Sequence, residues 1–270
     1  MAHLKIGRLP WFVTAPFFLD SLNSPEFEFR EGTPAELNLM LRTGVIAAAP
    51  SSSIEYASHP ELYKLHPTFC TASREKVGSV LLFTDTPPEA LGNQTLCLTQ
   101  ASATSAALLK ILMKDYYKQD VNYSYDPQQK NGGRLLIGND ALLYATHHNT
   151  YPYTTDLAQA WRTWQNLPFA FGLWIFRKDA LSHEKKSILQ FQSSMVRSLN
   201  QFYQDPLKSL ELWQSKFPAN LSQHDLQTYY TKLQFEFGPL EKKSLRVFFD
   251  LLWQHHLIEQ PIIQIEYADF

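Results

Sequence analysis

The chain has 270 residues, room for one or two domains of about 100–200 residues with a sizeable core. Lys and Arg total 24 against 26 Asp and Glu, a formal charge of -2 that offers no overall field to phosphate backbones or anionic lipid and so speaks against a dedicated nucleic-acid binder. A hydrophobic content of 44% with 14% aromatics excludes a wholly disordered chain.

The opening predicts strands at Leu4 to Leu9 and Phe27 to Arg30. Thr33-Pro34-Ala35-Glu36 then supplies a capping hydroxyl, a proline at the first helical position and a glutamate at the third, so a helix carrying Leu37, Met40 and Leu41 should run to Gly44. The apolar run Val45 to Ala49 reads as a buried strand that delivers Ser51, Ser52 and Ser53 to a helix start. Val77 to Thr84 has the β-branched, apolar character of a central strand, and Asp85-Thr86-Pro87-Pro88 after it reads as a lobe boundary.

A second lobe begins with a strand at Thr95 to Thr99 and a helix opened by Ala101-Ser102-Ala103-Thr104-Ser105 and running to about Tyr117. Arg134 to Ile137 is a further strand handing over to Gly138-Asn139-Asp140, and Leu167 to Phe176 is a strand long enough to return to the first lobe. Beyond Ser182 the chain is helical, with Ile188, Phe191, Met195, Leu199 and Phe202 at core spacing. Restarts follow at Asp205-Pro206, Ser222 to Asp225 and Pro239, the last helix carrying Leu245, Phe248, Phe249 and Leu252. These elements predict an α/β chain with lobe one at 1–84 plus 178–270, lobe two at 85–177, and hinges near 84–88 and 176–179.

Several chemistries are excluded by their missing signatures. None of the ten glycines is spaced Gly-x-Gly, as a dinucleotide fingerprint requires. Gly133 and Gly138 have phosphate-loop spacing, but Asn139 and Asp140 stand where Lys and Ser/Thr must hold phosphate and magnesium. The only thiols, Cys70 and Cys97, form no zinc knuckle; one disulfide is open to them, and two buried free cysteines are the expectation. His147-His148 and His255-His256 are adjacent pairs that point about 100° apart on a helix, so no metal site is expected. Neither His-Glu-x-x-His nor Gly-x-Ser-x-Gly occurs. The start of the chain lacks the apolar core of a signal peptide, and the charge-free stretch from Ala90 to Lys110 is broken by polar residues. A cytoplasmic chain with no membrane partner is the expectation.

The informative pattern is an apolar strand followed by Ser, Thr or Asn and then a helix, at Thr14, at Ser51 to Ser53, at Ser102 to Ser105 and at Asn139. Each such helix start offers unpaired N–H groups and the positive end of a dipole, suited to a small organic anion. A Ser or Thr at any one of these positions is ordinarily just a cap, and its recurrence in both lobes is what raises the ligand reading.

In this order the segments are Lys5-Ile6-Gly7 with Ala15-Pro16, Pro50-Ser51-Ser52-Ser53-Ile54-Glu55-Tyr56, and Ser79-Val80-Leu81-Leu82-Phe83. They continue with Ser102-Ala103-Thr104-Ser105, Leu136-Ile137-Gly138-Asn139-Asp140-Ala141-Leu142, Asp156-Leu157 through Ala160-Trp161 to Leu167-Pro168-Phe169-Ala170-Phe171, and Phe235-Glu236-Phe237-Gly238. Over nearly its whole length the chain thereby resembles the chorismate dehydratases of the futalosine route to menaquinone. The resemblance implies a two-lobed periplasmic-binding-protein-like type II fold with a ligand cleft between the lobes. It also implies loss of water from chorismate to give 3-[(1-carboxyvinyl)oxy]benzoate, with no cofactor and a dicarboxylate small molecule as the partner.

Carried onto this sequence, the resemblance makes Thr14 and Asn139 candidate catalytic positions and places Ser51, Ser52, Ser79, Ser102, Thr104, Ser105, Phe169 and Phe171 on the substrate, with Trp11 and Phe12 adding apolar wall. The chain departs from the family at Val13, where the first loop typically has Asn, and at Asn139, where Asp is usual. Those departures keep open a non-catalytic or altered-specificity carboxylate-binding protein of the same fold. The sister enzyme that forms dihydroxynaphthoate is a third reading, against which Leu167-Pro168-Phe169-Ala170-Phe171 speaks. If Thr104 grips a carboxylate, Thr104→Val should weaken binding with little change in melting temperature.

Overall fold

The computed structural model describes residues 3–129, 132–148 and 150–270. Met1, Ala2 and the side chain of His148, which enter the sequence reading, lie outside the described residues.

The chain opens with β1 (Leu4–Arg8), a 3-10 turn (Phe12–Phe17), β2 (Phe27–Glu31), α1 (Pro34–Arg42), β3 (Ala48–Ser52), α2 (Ser53–Ser58) and β4 (Tyr63–Ser73). It continues through β5 (Val80–Thr84), β6 (Thr95–Cys97), α3 (Ala103–Ile111) with a π-helical extension (Leu112–Tyr116), β7 (Asn122–Ser124), β8 (Gly133–Ile137), α4 (Gly138–Leu143), β9 (Tyr153–Asp156) and α5 (Leu157–Gln165). The last part is β10 (Phe169–Arg177), α6 (Lys178–His183), α7 (Lys185–Gln204), α8 (Pro206–Lys216), α9 (Gln223–Tyr230), β11 (Gln234–Glu236) and α10 (Pro239–Gln254).

Two mixed sheets result. One has the order β11-β4-β10-β3-β1-β2, the other β7-β6-β8-β5-β9. In the first, β1 runs parallel to β2 and β3, while β10 runs antiparallel to β3 and β4. In the second, β6 runs parallel to β7 and β8, and β5 lies antiparallel between β8 and β9.

These pairings displace the expected lobe boundaries. The strand at 80–84, expected in lobe one, belongs to the second sheet, and the strand at 169–177, expected largely in lobe two, belongs to the first. The chain crosses between Ser73 and Val80 and returns between Gln165 and Phe169. Pro87 and Pro88 open a 3-10 turn at Pro88–Ala90 beside the second sheet, so the proline punctuation marks a local bend there.

The helices form where their caps are written. Thr33 accepts from the Glu36 N–H while Glu36 returns a bond to the Thr33 N–H, and Ser222 with Asp225 repeats the arrangement at α9. The apolar face of α7 (Ile188, Phe191, Met195, Leu199, Phe202) is buried with Phe17, Phe18 and Trp174 against the first sheet. α10 buries Leu245, Phe248, Phe249 and Leu252 in the other large core, where Phe248 meets Phe169 edge-on at 5.0 Å. Both cysteines are free and buried, as expected.

β4 is the element the sequence hides, because Pro67 sits inside it and proline gives the ladder no donor. The ladder to β10 shifts register between the Cys70 and Leu65 pairings, and Pro67 falls in that irregular stretch. His66 satisfies the backbone there: its Nδ1 accepts from the N–H groups of Thr68 (3.2 Å) and Phe69 (3.1 Å). Burial pulls the His66 pKa down to about 3. The folded chain therefore keeps His66 neutral while the unfolded chain protonates it near pH 6.5, and stability must fall as pH drops through that window. The expected loss between pH 7 and pH 5 from this group is about 2 kcal/mol. Chemical denaturation at both pH values should show it in wild type and not in His66→Asn, whose amide oxygen can still accept from the two backbone donors.

Candidate active site

The ends of β1, β3, β5 and β8 help bring most of the sequence-predicted positions to a single cavity between the two sheets. Its atom-free space, counting the open mouth, is about 610 Å³. Leu9, Trp11, Val13, Val77, Val80, Ile137 and Phe171 give it an apolar wall; Thr14, Ser51, Ser52, Thr71, Ser79, Ser102 and Ser105 supply hydroxyls. Among the described residues, none that lines it carries a carboxylate, amine, guanidinium or imidazole. Among the described residues, too, no group of three His, Cys, Asp or Glu is placed to hold a metal ion.

Each hydroxyl is used differently. Ser51, at the end of β3, is 2% exposed and its Oγ has no protein partner among the described residues. Ser52 beside it accepts from Asn38 Nδ2 on α1 at 2.9 Å. Ser102 caps α3, accepting the Ser105 N–H at 3.3 Å, with the two side-chain oxygens 3.1 Å apart, so the first turn of α3 forms part of the wall. Thr14 lines the cavity but donates its proton to the Leu9 carbonyl at 2.8 Å, which leaves it only lone pairs to offer a ligand. It can accept there and cannot donate.

Ser79 is held from several sides. Gly78, in the left-handed region at φ 73°, donates its N–H to Asp156 Oδ2 at 2.7 Å. The Ser79 carbonyl accepts from the Gly138 N–H at 2.8 Å, and its hydroxyl lies 3.0 Å from that of Tyr229. Asp156 also accepts from Ala158 and Gln159 at the start of α5; burial raises its pKa against the pull of these backbone donors.

Four expected site residues lie elsewhere. Thr104 is fully buried behind the wall, where Oγ1 accepts from the Ile54 N–H at 2.9 Å and lies 3.3 Å from Ser53 Oγ. Helical geometry turns the residue two places after the cap away from the face that Ser102 and Ser105 present. The expected consequence of Thr104→Val therefore reverses: it leaves the Ile54 N–H buried without its acceptor and should cost about 1–3 kcal/mol of stability, read by urea unfolding. Phe169 is core, packed on Trp161 at 5.1 Å and on Phe248 at 5.0 Å, while Phe171, two residues on along β10, faces the cavity. Phe12 is likewise buried core, and Asn139 stands half-buried on α4 outside the lining, where Gly138 takes the wall position.

Residues 4–254 match the model of a family described as menaquinone biosynthesis. The chain belongs to that family. A relative within reach of sequence comparison is the chorismate dehydratase of Thermus thermophilus, 30% identical over 171 residues, which cover 57% of this chain and 62% of the relative, less than two thirds of its length. Solved structures extend the likeness in fold alone. A protein of Archaeoglobus fulgidus superposes with a TM-score of 0.75 at 15% identity, covering 95% of this chain and 98% of its own. The alkanesulfonate-binding protein of Xanthomonas axonopodis pv. citri, solved with MOPS, gives 0.70 at 12% identity over 96% and 95%. A ligand-binding component of an ABC-type importer from Staphylococcus aureus also gives 0.70, at 14% identity over 99% and 97%. This family member thus has a periplasmic-binding-protein-like α/β fold with its cavity between the sheets. Among the described residues no helix is long and apolar enough to cross a membrane.

Within this family member, Asn38, Thr71 and Tyr229 are the site residues the sequence reading missed. Asn38 and Tyr229 sit on helices whose other residues signal only packing, and Thr71 lies on the strand that Pro67 conceals.

Proposed function

We propose that this protein dehydrates chorismate to 3-[(1-carboxyvinyl)oxy]benzoate on the futalosine route to menaquinone, as a cytoplasmic enzyme without a cofactor. The observation that carries the reading is the cavity itself: an apolar wall whose polar groups are hydroxyls and the first turn of α3. Such a wall suits a carbocycle bearing two carboxylates. The start of α3 receives one carboxylate through Ser102, Ser105 and first-turn N–H groups, and Ser51 donates to a second polar group of the substrate.

In the reaction a proton leaves the ring carbon that bears the enolpyruvyl ether, hydroxide leaves the neighbouring carbon, and the electron pair completes the aromatic ring. The two departing pieces make the water lost. With no ionisable side chain on the described wall, the chain's own contribution is to hold the diene ring, donate hydrogen bonds to departing oxygen and exclude solvent. The proton passes to a carboxylate of the substrate or to water. Calorimetric titration with 3-(carboxymethoxy)benzoate and with 3-methoxybenzoate tests the dicarboxylate requirement: affinity at least about tenfold higher for the first supports it, and equal affinities overturn it.

Val13 on the wall favours a second reading, binding of a small carboxylate without turnover, because an apolar side chain there donates nothing to the reacting atoms. Chorismate that binds and is recovered unchanged would support it.

A further inference from the structure

Two consecutive tyrosines of α9, their ring centroids 5.4 Å apart, each bond a segment that lines the cavity. Tyr229, 2% exposed, places its hydroxyl 3.0 Å from Ser79 Oγ at the entrance to β5. Tyr230 donates to the carbonyl of Phe12, in the 3-10 turn that carries Val13 and Thr14. Neither tyrosine lines the cavity, whereas Ser79, Val13 and Thr14 all do.

The chemistry of the Tyr229–Ser79 pair has a direction. A phenol is a stronger acid than an alkyl alcohol, so Tyr229 is the natural donor and Ser79 Oγ the acceptor. With that lone pair engaged, the proton of Ser79 is free to turn into the cavity. The Ser79 backbone is already fixed through its bond from Gly138, so the hydroxyl rotor is the degree of freedom left for Tyr229 to set. Burial pushes both tyrosines well above the ordinary phenol pKa, so each keeps its proton.

We propose that Tyr229 and Tyr230 are paired positioning residues: Tyr229 makes Ser79 a donor toward the ligand, and Tyr230 sets the turn that carries Val13 and Thr14 into the cavity wall. This assignment rests on the dehydratase reading and adds to it the source of the Ser79 orientation. Serine alone could rotate to accept or donate; a serine backed by a buried phenol offers hydrogen to anionic oxygen.

The test is a double-mutant cycle on the full chain with chorismate as substrate. Tyr229→Phe keeps the ring and its packing and removes only the hydroxyl. It should lower kcat by about tenfold with KM within about threefold, and it should have no further effect once Ser79→Ala is present. Tyr230→Phe should raise KM and leave the Tyr229 coupling intact. Tyr229→Phe with kcat within about twofold of wild type, or equal losses with and without Ser79, overturns the assignment and makes Tyr229 a packing residue. Wild-type protein inactive toward chorismate overturns the dehydratase reading and this assignment with it, an outcome told apart because it appears before any substitution is made.

Discussion

Gly138→Val is expected to abolish ligand binding, lowering affinity for chorismate by more than about a hundredfold, while leaving the two sheets folded. Gly138 sits at φ 60°, where a β-branched residue is strained, at the point where β8 passes into α4. A Cβ there would lie 2.8 Å from Cε3 and 3.0 Å from Cζ3 of Trp11, closer than carbon atoms approach. Trp11 comes from the first sheet's side and Gly138 from the second, so relief of the clash either drives the indole into the cavity or parts the sheets. Both remove the site. Strain of about 1–3 kcal/mol should also lower Tm by several degrees. Calorimetry with chorismate, beside a thermal melt, checks this; retained affinity would mean that the cavity between the sheets is not where the ligand goes.

Ser51→Ala should move stability and affinity in opposite directions. The hydroxyl is buried without a protein partner among the described residues, so its removal relieves an unmet desolvation cost and should stabilise the free protein by about 1 kcal/mol. The same removal takes a donor from a charged ligand and should weaken binding by about 10–100-fold, the equivalent of about 1.5–3 kcal/mol. A residue kept only for packing would not show that opposition, since alanine would then be neutral for the ligand. Urea unfolding of the free protein and calorimetric titration of the same sample give the two signs; a destabilised variant with unchanged affinity would assign Ser51 to structure.

Much of this site is legible in local sequence, because local rules decide it. The capping box at Thr33 to Glu36, the Ser102 cap and the delivery of Ser51 by an apolar strand each depend on residues a few positions apart. What stays hidden depends on distant partners. Thr104 looks like Ser105 in sequence, yet Ile54, fifty residues earlier in the chain, consumes its hydroxyl. Phe169 and Phe171 share a motif and a strand face, with rings 4.6 Å apart; only the distant Trp161 and Phe248, which cover Phe169, decide that one is core while the other reaches the cavity. The strand at 80–84 reads correctly as a strand, but which sheet it joins is settled by β8 and β9, both later in the chain. Tyr229 reaches Ser79 across 150 positions, and nothing next to it in the sequence signals that contact.

The hydroxyl-lined cavity is proposed to turn chorismate over. Proton NMR of chorismate incubated with the purified wild-type protein tests it most directly, because the diene protons of the ring and the aromatic protons of the product are separate signals. Dehydration should make the diene signals disappear as meta-substituted benzoate signals grow in equal amount, with the enolpyruvyl methylene protons retained. Chorismate that persists unchanged in the presence of protein shown by calorimetry to bind it would contradict turnover in this cavity.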